Sequence, residues 1–493
     1  MTPTPRDAAA IALTRFGLGA RPGEIDGVAV DPAGWLERQI DPRGAAQPDG
    51  RFPTSSDQVT ALQTYLREVR QFMPDDRPAP GGPPARADRA PTMADPAAEA
   101  AFAAQRDSRR ALTEGIGQEF LARTRLATTT DAGFAERWTL FWANHFTTSA
   151  SKFQAGVFIG PYEREAIRPH VFGRFDVLAQ AAESHPAMLL YLDQVQSIGP
   201  NSPAGTRRQS GLNENLAREI LELHTVGSEA GYTQADVTEF ARALTGWSVP
   251  APADTGGQRR ARGRRAALLA GEPGEHGFTF RAVVHEPGER TVMGRRYPAG
   301  GVDQGRAILR DLSRQPQTAR RLARRIAGHF VADDPPPGLV DRLEAAWTGS
   351  DGDLAVVARA LIAAPEAWSP AATKMKTPYE FIVSTHRALG SSPQRIPGLQ
   401  QPLVQMGQPP FAPPSPEGWP DTAADWAGPD ALVKRLNWAR TVGELAARLD
   451  PVVMAESALG SRMGARTRET VARAESRPEA ITLFLMSPEF QRR

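Results

Sequence analysis

Apolar residues recur three and four positions apart along most of this chain, the spacing of one buried helix face. That period predicts helices over residues 7–16, 32–40, 58–72, 99–128, 134–146, 162–167, 173–184 and 187–193. Two more follow over 213–226 and 233–245, the second opened by a Thr233-x-x-Asp236 capping pattern. Beyond residue 301 the pattern is helical again, over 305–313, 318–330, 339–347, 353–363, from Pro378 onward, and over 431–449, 453–459 and 478–490. One segment alternates instead. Residues 278–284 run to a Glu286-Pro-Gly-Glu289 turn and residues 290–293 return, which predicts a β-hairpin. The fold class expected is mainly α, a large multi-helix body with one small β-hairpin and long Pro/Gly-rich loops.

The loops divide the chain. Residues 1–72 carry N-terminal helices, 73–98 a flexible Pro/Ala-rich insertion, and 99–249 a central helical core. Residues 250–276 form a basic flexible loop with Arg259, Arg260, Arg262, Arg264 and Arg265. Residues 277–300 hold the hairpin, and 301–493 a C-terminal helical region expected to form one body with the core. The connection over 406–426 (MGQPPFAPPSPEGWPDTAADW) is long for a loop without a function.

Polar and ionisable residues are densest between Gly211 and Trp247. Asn213 suits an N-cap. At about 100° per residue, Glu214, Asn215, Arg218, Glu219 and Glu222 share one arc, while His224 falls with Leu216, Ile220 and Leu223. Glu222 and His224 then point roughly 160° apart and cannot ligate one metal from a regular helix. Two readings stand for the polar arc. It is a solvated i, i+4 ladder, or it lines a cleft in which Asn213, Asn215, Glu219 and Glu222 meet a ligand and Arg218 holds an anion. His224 is expected to pack in the core with a backbone partner. On the 134–146 helix, His145 sits in an aromatic stripe of Phe134, Trp138, Phe141 and Trp142. It is a core histidine, or it stands at a pocket wall.

Composition narrows the classes. The chain has 493 residues, 41% hydrophobic and 23% charged, an ordinary globular balance. A net charge of +2 gives no footprint for nucleic acid. With no cysteine, disulfides, thiolate nucleophiles and Cys-ligated zinc are excluded. No stretch of eighteen apolar residues occurs, so no membrane span is expected. The chain as written shows no secretory leader, which predicts that it stays where it is made, in the cytoplasm. No Gly-x-Gly-x-x-Gly, Walker loop, Gly-x-Ser-x-Gly elbow or His-Glu-x-x-His occurs, and residues 226–237 fail as a calcium loop.

Several segments together carry a resemblance. They are Phe141-Trp-Ala-Asn-His-Phe146, Ile167-Arg-Pro-His170, His185-Pro-Ala-Met-Leu-Leu-Tyr-Leu-Asp193, Leu212-Asn-Glu-Asn215 through Glu222-Leu-His224, Gly231-Tyr-Thr-Gln234 and Leu244-Thr-Gly-Trp247. Lys374-Met-Lys-Thr-Pro-Tyr-Glu-Phe381, Gly418-Trp-Pro-Asp421 and Ser487-Pro-Glu-Phe-Gln491 continue it. In this order they resemble the bacterial family called domain of unknown function 1800 (DUF1800). The resemblance implies a large, mainly helical protein, often exported, whose gene often neighbours one for an alkaline-phosphatase-superfamily protein. It implies no reaction. One departure is His285-Glu286 where His-Asp is expected, which counts against a metal there.

Two functions from different classes follow. In the first, a hydrolase-like enzyme uses Glu219, Glu222 and His145 as its catalytic groups, and Asn144, Asn213, Asn215, Arg218 and Trp247 line the ligand. A divalent metal held by carboxylates and histidines from different helices is a variant of this reading. In the second, the protein is a non-catalytic accessory that acts with an alkaline-phosphatase-superfamily partner.

Overall fold

Local side-chain chemistry starts many of the helices. The elements that build the site are, in chain order, α1 (Pro5–Ile11), α2 (Pro96–Thr129), α3 (Gly133–His145), α4 (Phe175–Ser184), α5 (Asn215–Glu219), α6 (Gln234–Leu244), α7 (Pro316–Phe330), α8 (Pro378–Ala388), α9 (Pro429–Leu445) and α10 (Arg477–Leu485). Thr4 with Asp7, Thr233 with Asp236 and Thr377 with Glu380 close reciprocal capping boxes at α1, α6 and α8. Proline occupies the first turn of α1, α7, α8, α9 and α10, where its missing N–H costs nothing. Asn213 acts one position earlier than expected. Its Oδ1 accepts from the Asn215 N–H at 3.0 Å, and Glu214 is the residue that flanks α5.

The computed structural model describes residues 4–72, 96–208, 211–250 and 271–493. Most of the Pro/Ala-rich insertion and all five arginines of the basic loop lie outside the described residues. Within them the protein is mainly α, and no helix is long and apolar enough to cross a membrane.

The main core is built around α3. Phe134, Trp138 and Trp142 are fully buried on it. Trp138 stacks on Phe172, with ring centroids 6.3 Å apart, and meets Phe330 of α7 at 5.8 Å. Its indole N–H donates to the Val171 carbonyl at 2.7 Å, so the ring is buried without an orphaned donor. Each such ring contributes a few kcal/mol of transfer free energy, about 1.5–3 for a Phe. A second core lies where α8 meets α9, α10 and α2, centred on Phe381, Ile382, Ile481 and Phe484. The seam between α3, α7 and α8 is polar and holds the site described below.

Strands are few and short. Trp247–Ser248 (β1), Glu272–Pro273 (β2) and Thr279–Phe280 (β3) form an antiparallel sheet in the order β1-β3-β2. Arg290–Val292 (β4) pairs with Arg295–Tyr297 (β5) as a hairpin joined by two residues. The hairpin expected over residues 278–293 is therefore shifted. Its first arm joins β1, and the second arm pairs with the residues after it. The physical reason is the turn. Met293 and Gly294 both take positive φ, 46° and 76°, the geometry of a two-residue turn that matches strand twist. His285 and Glu286 serve this region as ties. His285 Nδ1 meets the Thr245 carbonyl at 2.8 Å, and the buried Glu286 accepts from the Asn201 backbone N–H at 2.8 Å.

Candidate functional site

The α7 sequence Pro-Gln-Thr-Ala-Arg-Arg-Leu-Ala-Arg-Arg-Ile-Ala-Gly-His-Phe is strongly two-faced. Leu322, Ala323, Ile326 and Phe330 are buried. Gln317, Arg321, Arg325 and His329 recur every fourth residue, so they form one row along the helix. That row lines a cleft of about 1220 Å3, whose opposite wall is the Pro/Gly/Trp-rich connection, residues 414–422. Behind it lies a smaller chamber of about 110 Å3 reaching Arg137, Tyr162, Glu163 and Glu380. Asn144, His329, Trp419, Pro420 and Asp421 border both spaces.

The wall is clamped. Asn144 accepts from the Trp419 N–H at 2.8 Å and donates to the Trp419 carbonyl at 3.0 Å. Trp426 donates its indole N–H to the Pro420 carbonyl at 2.9 Å. Gly418 sits against Asn144 with φ +91°, and a Cβ there would stand 2.5 Å from the Asn144 carbonyl oxygen. Gly418→Ala is expected to lower stability by about 1–3 kcal/mol, through backbone strain and overpacking. An unchanged denaturation midpoint would show that the wall is free to move.

His329 and Asp421 form the centre of the site. His329 Nδ1 lies 2.7 Å from Asp421 Oδ2. A carboxylate can only accept, so the neutral ring carries its proton on Nδ1 and leaves Nε2 as a lone pair. Nε2 is buried and has no hydrogen-bond partner among the described residues. Burial lowers the His329 pKa to about 4, against the pull of Asp421, so the imidazole is neutral at neutral pH. Burial alone would raise the Asp421 pKa; His329, Arg493 and Lys374 outweigh it and keep the carboxylate ionised. Lys374 Nζ lies 2.6 Å from Asp333 and 3.4 Å from Asp421. Arg493 Nη2 lies 3.3 Å from Asp421 while its Nε lies 3.0 Å from Glu380. Glu380 also pairs with the buried Arg137.

The residues singled out from the sequence are spread over three places. Asn144 borders both cavities. Glu214, Arg218 and Glu222 form the i, i+4 ladder, at 3.2 Å and 3.6 Å, all part-exposed. Arg218 also donates to Gln234 at 3.0 Å. Asn213 donates to the Leu192 and Asp193 carbonyls, and Asn215 is exposed. Glu219 is half-buried on the same helix, and burial raises its pKa. Trp247 is buried in β1 against Phe278. His145 is buried, and its Nε2 lies 3.2 Å from the His224 carbonyl oxygen. Burial, with Arg325 and His224 nearby, pushes its pKa well down. His224 is in the core as expected, but its neighbour is a side chain. Nδ1 lies 2.7 Å from the fully buried Glu183 of α4. The helix widens into one π turn over Ile220–His224, which carries His224 against α4.

None of Glu219, Glu222 and His145 lines either of the two cavities. The residues that do, and that the sequence reading passed over, are His329, Asp421, Arg321, Arg325 and Lys374. The four-residue spacing of Arg321, Arg325 and His329 is the signal that could have found those three, while Lys374 and Asp421 stand in segments that carry the family resemblance. Among the described residues, no group of three or more His, Asp and Glu side chains is placed to hold a metal ion.

No curated protein and no solved structure matches this chain. A family model does, over residues 11–492, nearly the whole length, and its description is protein of unknown function (DUF1800). The cleft, its clamped wall and the His329–Asp421 pair all fall within that match, and the chain belongs to the DUF1800 family.

Proposed function

We propose that this protein is a hydrolase whose proton-transfer group is His329, oriented by Asp421 at the border of the α7 cleft. The observation that carries the reading is the 2.7 Å Nδ1–Oδ2 contact together with the unpartnered Nε2. Once a shift of the cleft wall opens the buried Nε2 to the ligand, a neutral imidazole held in one tautomer takes a proton from water there as the water oxygen attacks the ester centre. The bond to the leaving oxygen breaks, and the imidazolium returns the proton to that oxygen. Asp421 stabilises the transient cation. The products are an acid and an alcohol, and no redox partner is needed. In this reading Glu219 and Glu222 stay outside the proton chemistry, and Asn144 fixes the cleft wall.

The test is a panel of chromogenic esters, p-nitrophenyl phosphate, sulfate and acetate, with the full chain. His329→Gln is expected to lower kcat about 10²–10⁴-fold on whichever ester turns over. Asp421→Asn should lower it as well, because an amide stabilises the wrong tautomer. Activity unchanged in His329→Gln would sink the proposal. The accessory reading, with an alkaline-phosphatase-superfamily partner, is supported by a different observation. Leu432, Val433 and Leu436 stand 38–55% exposed in a row on α9.

A further inference from the structure

We infer that the α7 cleft binds a tetrahedral oxyanion, a phosphate or sulfate group, between the guanidinium groups of Arg321 and Arg325. The inference deepens the hydrolase reading by naming its substrate class, and it rests on that reading for the identity of the reacting site.

Arg325 borders the cleft and takes part in none of the hydrogen bonds or ion pairs within 4 Å found among the described residues, although Glu417 and Asp421 attract it from farther off. Arg321, one turn earlier, spends one N–H on the Leu223 carbonyl and has no carboxylate within 4 Å among the described residues. Both are half-buried. Burial lowers the pKa of Arg321 to about 10, and repulsion by Arg325 adds to the shift. Two like charges held side by side and partly out of water are costly unless a counter-charge joins them.

Among the described residues no carboxylate pairs with either arginine; Glu417 attracts both and Asp421 attracts Arg325, but only at longer range. Lys374 already uses Asp333 and Asp421. Arg320 uses Glu344 at 2.7 Å and Asp341. Glu417, on the facing wall, is exposed and forms no ion pair with either arginine. Arg324 stands at the rim of the same cleft, but at 67% exposure it is hydrated, with a 3.7 Å contact to Asp334.

The geometry selects the kind of anion. A planar carboxylate is satisfied by one guanidinium fork. A tetrahedral group offers three terminal oxygens and up to two charges, enough for both arginines. Arg325 and His329 are four residues apart, about 6 Å along the helix axis. An ester held by its oxyanion at Arg325 thus lies about one helical turn from His329, which borders the same cleft. The cleft, at about 1220 Å3, has room for the rest of the ester.

The experiment is calorimetric titration of the full chain with inorganic phosphate, sulfate and acetate at constant ionic strength. Saturable binding of phosphate or sulfate is expected, with acetate at least about tenfold weaker. Arg325→Gln and Arg321→Gln should each weaken the tetrahedral anion about ten- to hundredfold, the scale of a lost charged hydrogen bond. Arg324→Gln, at the hydrated rim, should weaken it less than about threefold. Arg325→Lys, which keeps the charge without the fork, should fall between. If Arg325→Gln fails to fold, Arg325→Lys and the anion preference of the natural chain decide. No binding of either tetrahedral anion, equal binding of acetate, or an equal loss in Arg324→Gln overturns the inference. The arms separate the two proposals. Tetrahedral-anion binding without turnover of any ester defeats the hydrolase reading alone. Turnover of the acetate ester dependent on His329, with no anion binding, defeats the oxyanion inference alone. The phosphate and sulfate arms say which of the two the site prefers.

Discussion

Glu380→Ala is expected to destabilise the protein by about 3–5 kcal/mol, the cost of stranding buried charges. Glu380 holds together three elements at once. Its carboxylate accepts from the Thr377 N–H at 2.9 Å, which caps α8. The same side chain pairs with Arg137 of α3 and, at 3.0 Å, with Arg493. Arg137 and Arg493 are almost fully buried. Burial would raise the Glu380 pKa, but Arg493 and Arg137 outweigh it and hold the group far below the usual carboxylate range. Removing it leaves two guanidinium ions in the interior with one acid fewer. The effect should reach the cleft, since Arg493 also holds Asp421 at 3.3 Å and donates to the His329 carbonyl. Glu380→Gln keeps an acceptor for the cap but loses the charge, so it should recover only part of the loss. Urea denaturation reads both. A loss under about 1 kcal/mol for Glu380→Ala would mean that water replaces the carboxylate and the network carries little.

The helical framework was legible because each helix carries its own signal. Thr377-Pro378 with Glu380 announces α8, and Thr233 with Asp236 announces α6, within four residues each. The hairpin was legible in kind but not in register, because its turn is Met293-Gly294 rather than an Asn-Gly or Asp-Gly pair. The burial of His224 followed from its place on an apolar face, while for His145 the aromatic stripe left a core position and a pocket wall open, and the ring is buried. The Glu183 neighbour of His224 did not follow, since it comes from a helix forty residues earlier and only packing brings the two together. The site had the same difficulty. His329 and Asp421 are 92 residues apart, and nothing local in Ala-Gly-His-Phe or Gly-Trp-Pro-Asp marks either as the other's partner. What was legible was the oddity of the 406–426 connection, a long loop with no helix pattern. It is the wall that carries Asp421, and Asn144 of the aromatic helix is what holds it.

Between pH 6.5 and about 4 the protein should lose stability steadily, and His329 should account for a share of about 3 kcal/mol. Its side chain is 16% exposed, and its folded pKa of about 4 lies below the ordinary 6.5. A histidine with a depressed folded pKa stays neutral in the native state while the unfolded chain takes up a proton. Stability therefore rises with pH across the window from about 4 to 6.5 and is flat above it. The groups facing the ring set the size of the shift. Burial and the cations Arg493 and Arg137 oppose protonation; Asp421 favours it and loses. His145, His170, His185 and His285 are shifted the same way by burial and add to the slope. Glu219 and Glu119, whose folded pKa values are raised by burial, work against it, since they take up protons in the native state first. The paired acids Glu380 and Asp421 enter only at lower pH, where protonation of the unfolded chain begins to favour unfolding. Urea midpoints from pH 4.5 to 7.5 measure the slope, and His329→Gln isolates the ring's part. The variant should show a shallower dependence by about one proton across that window. Parallel curves for the natural chain and His329→Gln would mean that the ring titrates alike in the folded and unfolded states. The neutral imidazole that the hydrolytic step requires would then be lost between pH 6 and 7, where a solvent-exposed histidine gains its charge.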